Sequence, residues 1–247
     1  MNKYGGMDKR ELLKEFTDAG ELGASDREIL TLVNGLIAAI DEDKEEDTLS
    51  IAEKLAAKDI ALGCAIAGEI NFRRKNFKAA EDFFRRGAAL GSTRSMLFLA
   101  ELYNYNLIPG CKDPRKEYFL LMKKAAHLKD FQAVYQYACC FRDGIGTAPN
   151  QKVYFELLQQ AVHGGCPDAK VEMAQLYITG LKGLVKKDIK KARAILKDLV
   201  DQNNGDAIFA LGCSYIDSDD KKATDLFHQA AKLGVPEARA VLQMIGY

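Results

Sequence analysis

The chain lacks the features that mark several large classes of protein. Its 247 residues carry 35 basic and 35 acidic side chains, so no excess of cations points to nucleic acid or an anionic membrane as a partner. No apolar run reaches the roughly 18 residues that cross a bilayer. The first 20 residues contain no apolar core of a secretory signal. We therefore expect a cytoplasmic protein that binds neither membrane nor nucleic acid.

The cysteines and histidines also form no pattern that indicates chemistry. The six cysteines are Cys64, Cys111, Cys139, Cys140, Cys166 and Cys213, and no pair recurs at a constant spacing, so we expect reduced thiols that act as small apolar side chains. The histidines are His127, His163 and His228, which are too far apart to converge on zinc. No nucleophile elbow, Cys/His nucleophile signature or phosphate loop is present. We expect no enzyme activity, no cofactor and no metal.

What the chain does contain is a block with constant internal spacing. Five copies open at Ala80, Tyr118, Tyr154, Ala192 and Ala223. Apolar residues follow at +3 and +4, small or apolar ones at +7 and +8, a turn residue at +11, a small residue at +15 and a larger one at +19. Four copies close on an aromatic at +23, namely Tyr103, Phe141, Tyr177 and Tyr215. Self-similarity of this kind is typical of a solenoid.

The offsets are helical spacings, and each set describes one apolar face. Every block is therefore predicted to be two antiparallel helices joined at +11, where glycine or asparagine tolerates a left-handed backbone. The stretch between blocks varies in length and is predicted to be loop, shortest between Tyr215 and Ala223. We expect helix pairs without a sheet over residues 26–246.

This layout resembles the Sel1-like repeat, a relative of the tetratricopeptide repeat, over roughly residues 60–247. The resemblance rests on Ala169, Met173, Ala174, Tyr177, Gly180, Asp188, Ala192, Ile195 and Leu196, and on the turn that contains Gly144, Gly146 and Asn150. The chain departs from the family in having no tryptophan and in carrying Asn150 where aspartate is usual. The resemblance implies an all-α fold, a right-handed α-solenoid of antiparallel helix pairs.

The N-terminal region diverges from the repeats. Ile66, Ala67 and Ile70, or alternatively Gly68 and Phe72, fit the helix before the first clear block, and the sequence leaves both registers open. Ser25 and Glu28 form a capping box before an apolar run. We divide the chain into N-terminal capping helices, 1–60, and one continuous domain of repeats, 61–247, because solenoid ends need atypical units.

By similarity to tetratricopeptide geometry, the second helix of each block lines a concave groove that binds another protein or a peptide. The predicted groove residues are Arg94, Leu97, Glu101, Asn104, Gln132, Tyr135, Cys139, Arg142, Asp168, Val171, Gln175, Ile178, Asp206, Phe209, Cys213 and Ile216. The row at +17 would hold Leu97, Tyr135, Val171 and Phe209 as apolar anchors. A tighter superhelix would instead bury this row as core.

The expected function is a non-catalytic interaction scaffold that acts as an adaptor or inhibitor. We expect the protein to be a monomer. The resemblance also implies two alternatives. Bacterial relatives include immunity proteins that neutralise a toxin, which would suit a small protein. Cysteine-rich relatives are connected with binding of cell-wall analogues, but this chain lacks their cysteine pattern.

Overall fold

The computed structural model describes residues 27–246, and every named element in that range is an α-helix. This confirms the all-α solenoid predicted from the repeat spacing. The capping box at Ser25 begins outside the described residues. The helices are α1 (Arg27–Asp41), α2 (Glu45–Ala57), α3 (Ala61–Arg73), α4 (Phe77–Ala89), α5 (Thr93–Asn104), α6 (Pro114–His127), α7 (Phe131–Asp143), α8 (Gln151–His163), α9 (Pro167–Thr179), α10 (Ile189–Asp201), α11 (Gly205–Cys213), α12 (Asp220–Lys232) and α13 (Pro236–Met244).

The two helices of each block are joined by the turn predicted at +11. All five turn residues have a positive φ, from 58° at Asn203 to 96° at Gly234. Such a φ favours glycine and is tolerated by asparagine, so the turn chemistry read from the sequence is confirmed. A turn of three residues between two packed helices makes the pair antiparallel.

Side-chain caps determine where many of the helices begin. The Asp113 carboxylate accepts a hydrogen bond from the Lys116 backbone N–H at 3.0 Å, and Asp188 accepts one from Lys191 in the same way. Asn150 caps α8 through the N–H groups of Lys152 and Val153. Because the first N–H groups of a helix have no partner within it, these short polar side chains stabilise the helix start.

The loops between blocks vary as the sequence predicts. The loop from 214 to 219 is shorter than those at 105–113, 144–150 and 180–188, although the connection at 74–76, upstream of the first clear block, is shorter still. An isolated β-bridge joins Leu181 to Val185 inside the 180–188 loop. The bridge lies between blocks and leaves the helix pairs intact.

Tertiary packing resolves the register that the sequence leaves open upstream of Ala80. A Cβ on Gly68 would meet the Phe84 ring, as a Cβ on Gly212 would meet the Phe227 ring. Gly212 occupies +20, so Gly68 occupies +20 of a block that opens at Thr48. Asp59, at +11 of that block, has the expected positive φ of 57°. The division at residue 60 stays a prediction, and from this register we propose that the repeats begin earlier, at Thr48.

The described chain forms two compact units. Of the described residues, the first contains 27–133 together with 145–147, and the second contains 134–144 and 148–246. Alternate helices pack on each other within each unit, α3 on α5 in the first and α9 on α11 in the second. Within each unit, the side on which these alternate helices contact each other is formed by odd-numbered helices, and we call the exposed side of the odd-numbered helices of each unit its inner face.

Candidate protein-binding face

The first unit holds five of the predicted groove residues. Glu101 and Asn104 are exposed, whereas Arg94, Leu97 and Gln132 are half-buried. Leu97 packs against the cluster of Met96, Ala125 and Ala133, so only part of its side chain is open to a partner.

Arg94 is held in place by Glu69, which the sequence did not single out. The Arg94 Nη2 donates to Glu69 Oε2 at 3.0 Å, and Nε donates to Oε1, so the pair is bidentate. Glu69 is only 9% exposed. A bidentate guanidinium–carboxylate pair fixes the orientation of both groups. Although Glu101 is exposed, partial loss of solvent contact at its carboxylate, together with the charge of Glu69, raises the pKa of Glu101 above its ordinary value.

The second unit holds the remaining predicted residues, with mixed exposure. Asp168, Gln175, Asp206 and Ile216 are exposed. Tyr135, Arg142, Ile178, Phe209 and Cys213 are half-buried, and Cys139 and Val171 are buried. The row at +17 therefore does not present four equal anchors.

Val171 and Phe209 show that part of the row at +17 packs against other helices. Val171 is 7% exposed and belongs to the same core cluster as Ala207 and Ala210 of α11. Phe209 packs on the next pair, with its ring 5.5 Å from that of Phe227 at 44°. Val171 thus fills the contact between α9 and α11, and Phe209 packs partly on α12, so Tyr135 and part of Phe209 are the aromatic surface left to a partner.

A polar network centred on Glu172 supports this face. The Tyr154 hydroxyl donates to Glu172 Oε1 at 2.7 Å, and Arg142 Nη1 donates to the same oxygen at 2.8 Å. The Tyr135 hydroxyl lies 3.5 Å from the second carboxylate oxygen. The carboxylate thus links α7, α8 and α9, and it orients Arg142 and Tyr135, two of the predicted groove residues.

Electrostatics fit this arrangement. Arg142 also donates from Nε and Nη2 to the two carboxylate oxygens of Asp143, both at 2.9 Å, and these hydrogen bonds hold the pKa of Asp143 below its ordinary value. Burial, together with the hydrogen bond to Glu172, raises the pKa of Tyr154. The phenol therefore stays protonated and remains a hydrogen-bond donor.

Sequence reasoning missed Tyr154 and Glu172 as members of this network. One signal was available, because Tyr154 stands at an opening position that is alanine in three of the five blocks. A buried tyrosine hydroxyl usually needs a partner. The sequence does not identify that partner, because Glu172 is 18 residues from Tyr154 and lies in another helix, directly after Val171 of the row at +17.

The inner face shows no built metal site. Within residues 27–246, no group of three His, Cys, Asp or Glu side chains is placed to hold an ion.

A shallow cavity between α1 and α2 is lined by residues that include Gly35, Glu42, Lys44 and Lys54. Among the residues that the structure describes, no helix combines the length and apolar character needed to span a bilayer.

The cysteines lead to a prediction about thiol reactivity. All six lie within residues 27–246, where no disulfide joins them, and only Cys111 and Cys213 are half-buried. Burial raises the pKa of Cys139 to about 11 and that of Cys140 to about 12, so their thiolate fraction at pH 8 is very small. We expect a thiol reagent to label rapidly no site other than Cys111 and Cys213 in the native protein.

The same reagent should label six thiols after denaturation without reductant. Mass spectrometry of peptides from protein labelled natively and after unfolding measures both numbers. Rapid native labelling of Cys139 would contradict its buried placement, and fewer than six thiols after unfolding would reveal a disulfide.

Comparison with known proteins agrees with this architecture. No family model matches the chain. Over 137 residues it is 33% identical to chitin synthase regulatory factor 2 of Schizosaccharomyces pombe, a match that covers 50% of this chain and 27% of that protein. The chain thus spans about a quarter of the length of this curated relative.

Three solved structures share the fold. A Sel1 repeat protein from Oxalobacter formigenes matches with a TM-score of 0.68 and 21% identity, over 96% of this chain and 70% of its own. The protective antigen c5321 of uropathogenic Escherichia coli, which has an SLR fold, matches with a TM-score of 0.66 and 22% identity, over 80% of this chain and 44% of its own. A Klebsiella pneumoniae protein described as a sel1 repeat protein has a TM-score of 0.53 and 18% identity, over 81% and 99%. The chain therefore has the Sel1-like repeat fold that these three proteins share.

Proposed function

We propose that the chain is a non-catalytic scaffold that binds a segment of another protein on its inner face. One observation carries the proposal: in the second unit, partly exposed apolar side chains lie among exposed polar ones on successive inner helices. Tyr135, Ile178 and Phe209 supply the apolar surface, and Gln175 and Asp206 supply the polar rim. Apolar anchors within a polar rim are typical of protein interfaces.

The Glu172 network supports the same proposal because it holds part of the surface in one conformation before a partner arrives. Side chains that are already ordered lose less conformational entropy on binding. Arg142 and Tyr135 are both oriented by Glu172. We propose that the protein acts as an adaptor or inhibitor, that it is a monomer without its partner, and that it works in the cytoplasm.

Two alternatives concern the partner and the chemistry. An immunity protein would use the same face to cover a bacterial toxin or effector, so this role is a special case of inhibition. A cell-wall-analogue-binding enzyme would need a reactive nucleophile on the inner face. Burial raises the pKa of Cys213, which disfavours its thiolate, and so offers no support for that alternative.

A matched pair of variants tests the inner face. The double variant Gln175→Arg and Asp206→Arg changes two exposed inner residues, and Gln159→Arg with Asp201→Arg makes the same chemical changes on the outer helices α8 and α10. We expect affinity capture from the native cell, measured by quantitative mass spectrometry, to lose its specific partner only with the inner variant.

Both variants should stay folded because all four positions are exposed, with a slightly lower melting temperature for the inner variant, since Asp206→Arg places a cation in the first turn of α11. Loss of the partner with the outer variant, or its retention with the inner one, would contradict the proposal. Capture of the same partner by Tyr135→Ala at undiminished level would remove Tyr135 as an anchor.

A further inference from the structure

A second charged surface lies on the loop that joins α9 to α10. Three lysines lie on this loop and a fourth lies in the first turn of α10, and all four are exposed. We call this set the lysine loop: Lys182, Lys186, Lys187 and Lys190. We propose that the lysine loop binds a short carboxylate-rich segment of a partner protein. This surface is separate from the inner face and does not depend on the function proposed there.

The backbone of the loop is ordered by its own hydrogen bonds. The Leu181 N–H donates to the Val185 carbonyl at 2.8 Å, and the Val185 N–H donates back to the Leu181 carbonyl at 2.8 Å. The Asp188 N–H donates to the Tyr177 carbonyl at 2.8 Å, which ties the loop to α9. Val185 is buried. The lysines therefore project from a backbone with a defined conformation.

Within residues 27–246, none of these four lysines forms an ion pair, although Asp188 lies in the same segment. Their neighbour Lys191 is different, because its Nζ lies 3.7 Å from a carboxylate oxygen of Asp188 and 5.6 Å from the centre of the Tyr177 ring. By contrast, Arg94 and Arg142 each pair with a carboxylate. Residues 182–190 thus carry four lysines against one carboxylate, Asp188, in a chain whose net charge is zero.

The position of this charge does not help the fold. Like charges close together repel each other, and Lys190 stands in the first turn of α10, where the helix dipole favours an anion. No acidic residue lies in that first turn. The Asp188 carboxylate already caps the start of α10, so an external carboxylate would act on the lysines, whose mutual repulsion it would relieve.

The surroundings favour a short acidic segment over an extended polyanion. Arg193 of α10 donates from Nη2 to the Ser214 carbonyl at 2.7 Å and from Nε to the Ser214 hydroxyl at 3.0 Å, so the start of α10 lies beside the turn after α11. That turn exposes Asp217 and Asp219. A nucleic acid or a flat anionic membrane at this end of the unit would meet these carboxylates as well as the lysines.

The test uses a fluorescent deca-glutamate peptide, with binding followed by anisotropy at about 50 mM salt, where charge interactions are weakly screened. The variant Lys186→Glu with Lys187→Glu should weaken binding about tenfold or more, because it replaces attraction by repulsion. The control Lys197→Glu with Lys232→Glu makes the same charge change at exposed sites on α10 and α12, and it should stay within about twofold of the parent.

Equal weakening by both variants, or no binding by the parent, would overturn the proposal. A single-stranded oligonucleotide, or vesicles of phosphatidylcholine and phosphatidylserine, binding more tightly than the peptide would assign the loop to a different class of partner and overturn it too. The loop variant should melt at the parent temperature or above, since it removes repulsion; a lower melting temperature would show that the lysines serve the fold. Capture on the inner face should be unchanged.

Discussion

Replacing Phe84 by alanine should lower the free energy of unfolding by about 3–5 kcal/mol, the usual cost of removing a phenyl ring from a packed core. The ring is fully buried and stacks on Phe98 with centroids 5.3 Å apart and planes at 7°. The Phe84 ring also packs closely on Gly68, since a Cβ added to this glycine would lie 2.4 Å from a ring carbon. The side chain therefore fills the junction of α3, α4 and α5. Urea unfolding followed by circular dichroism measures the loss.

A size exchange makes this test specific for the contact between Gly68 and Phe84. Gly68→Ala alone should cost about 1–3 kcal/mol through overpacking. Gly68→Ala combined with Phe84→Leu should cost less than the sum of the single changes, with a coupling of about 0.5–3 kcal/mol. Leu120→Ala is the control, because Leu120 is 46% exposed on α6 and its loss should change stability by less than about 0.5 kcal/mol. Strict additivity would show that the two residues do not share a contact.

Replacing Glu172 by alanine should cost about 1.5–3 kcal/mol, the range for losing hydrogen bonds to a charged group. The main cause is the Tyr154 hydroxyl, which donates to the carboxylate at 2.7 Å from a residue that is only 1% exposed. Without Glu172 this donor would remain in the interior without that acceptor. Arg142 loses less, since it keeps its two hydrogen bonds to Asp143.

A double-mutant cycle distinguishes this explanation from simple loss of packing. Tyr154→Phe removes the donor, so the double variant Tyr154→Phe with Glu172→Ala should cost less than the sum of the two single changes. Glu156→Ala is the matched control. Glu156 is exposed on α8, the helix that contains Tyr154, so its replacement should leave the free energy of unfolding unchanged. If the loss of stability in the double variant equals the sum of the two single losses, the hydroxyl and the carboxylate contribute independently, which would contradict a shared network.

Much of the fold could be predicted from the sequence because the repeat records local geometry. Helical periodicity depends on neighbours three and four residues away, and the turn at Asn203 or Gly234 depends on the φ that its own residue can adopt. Both are properties of short segments, and the structure has them at the predicted positions.

The candidate site was less predictable. The periodicity shows which residues of an inner helix avoid the contact within its own pair, and Asp168, Gln175 and Asp206 are indeed exposed. It does not show how closely the next inner helix approaches. The positions of Cys139 and Val171 were assigned to the groove, yet both side chains are buried.

The sequence by itself determined the all-α class, the helical hairpin and its turn, since these follow from spacing and backbone preference within each block. Only the tertiary structure shows the close approach of Gly68 to Phe84, the burial of Val171 against α11 and the meeting of Arg142 and Tyr154 at Glu172. The physical reason is that these features depend on which faces of separate helices come together. Such contacts join residues far apart in the chain and leave no periodic trace in any one helix.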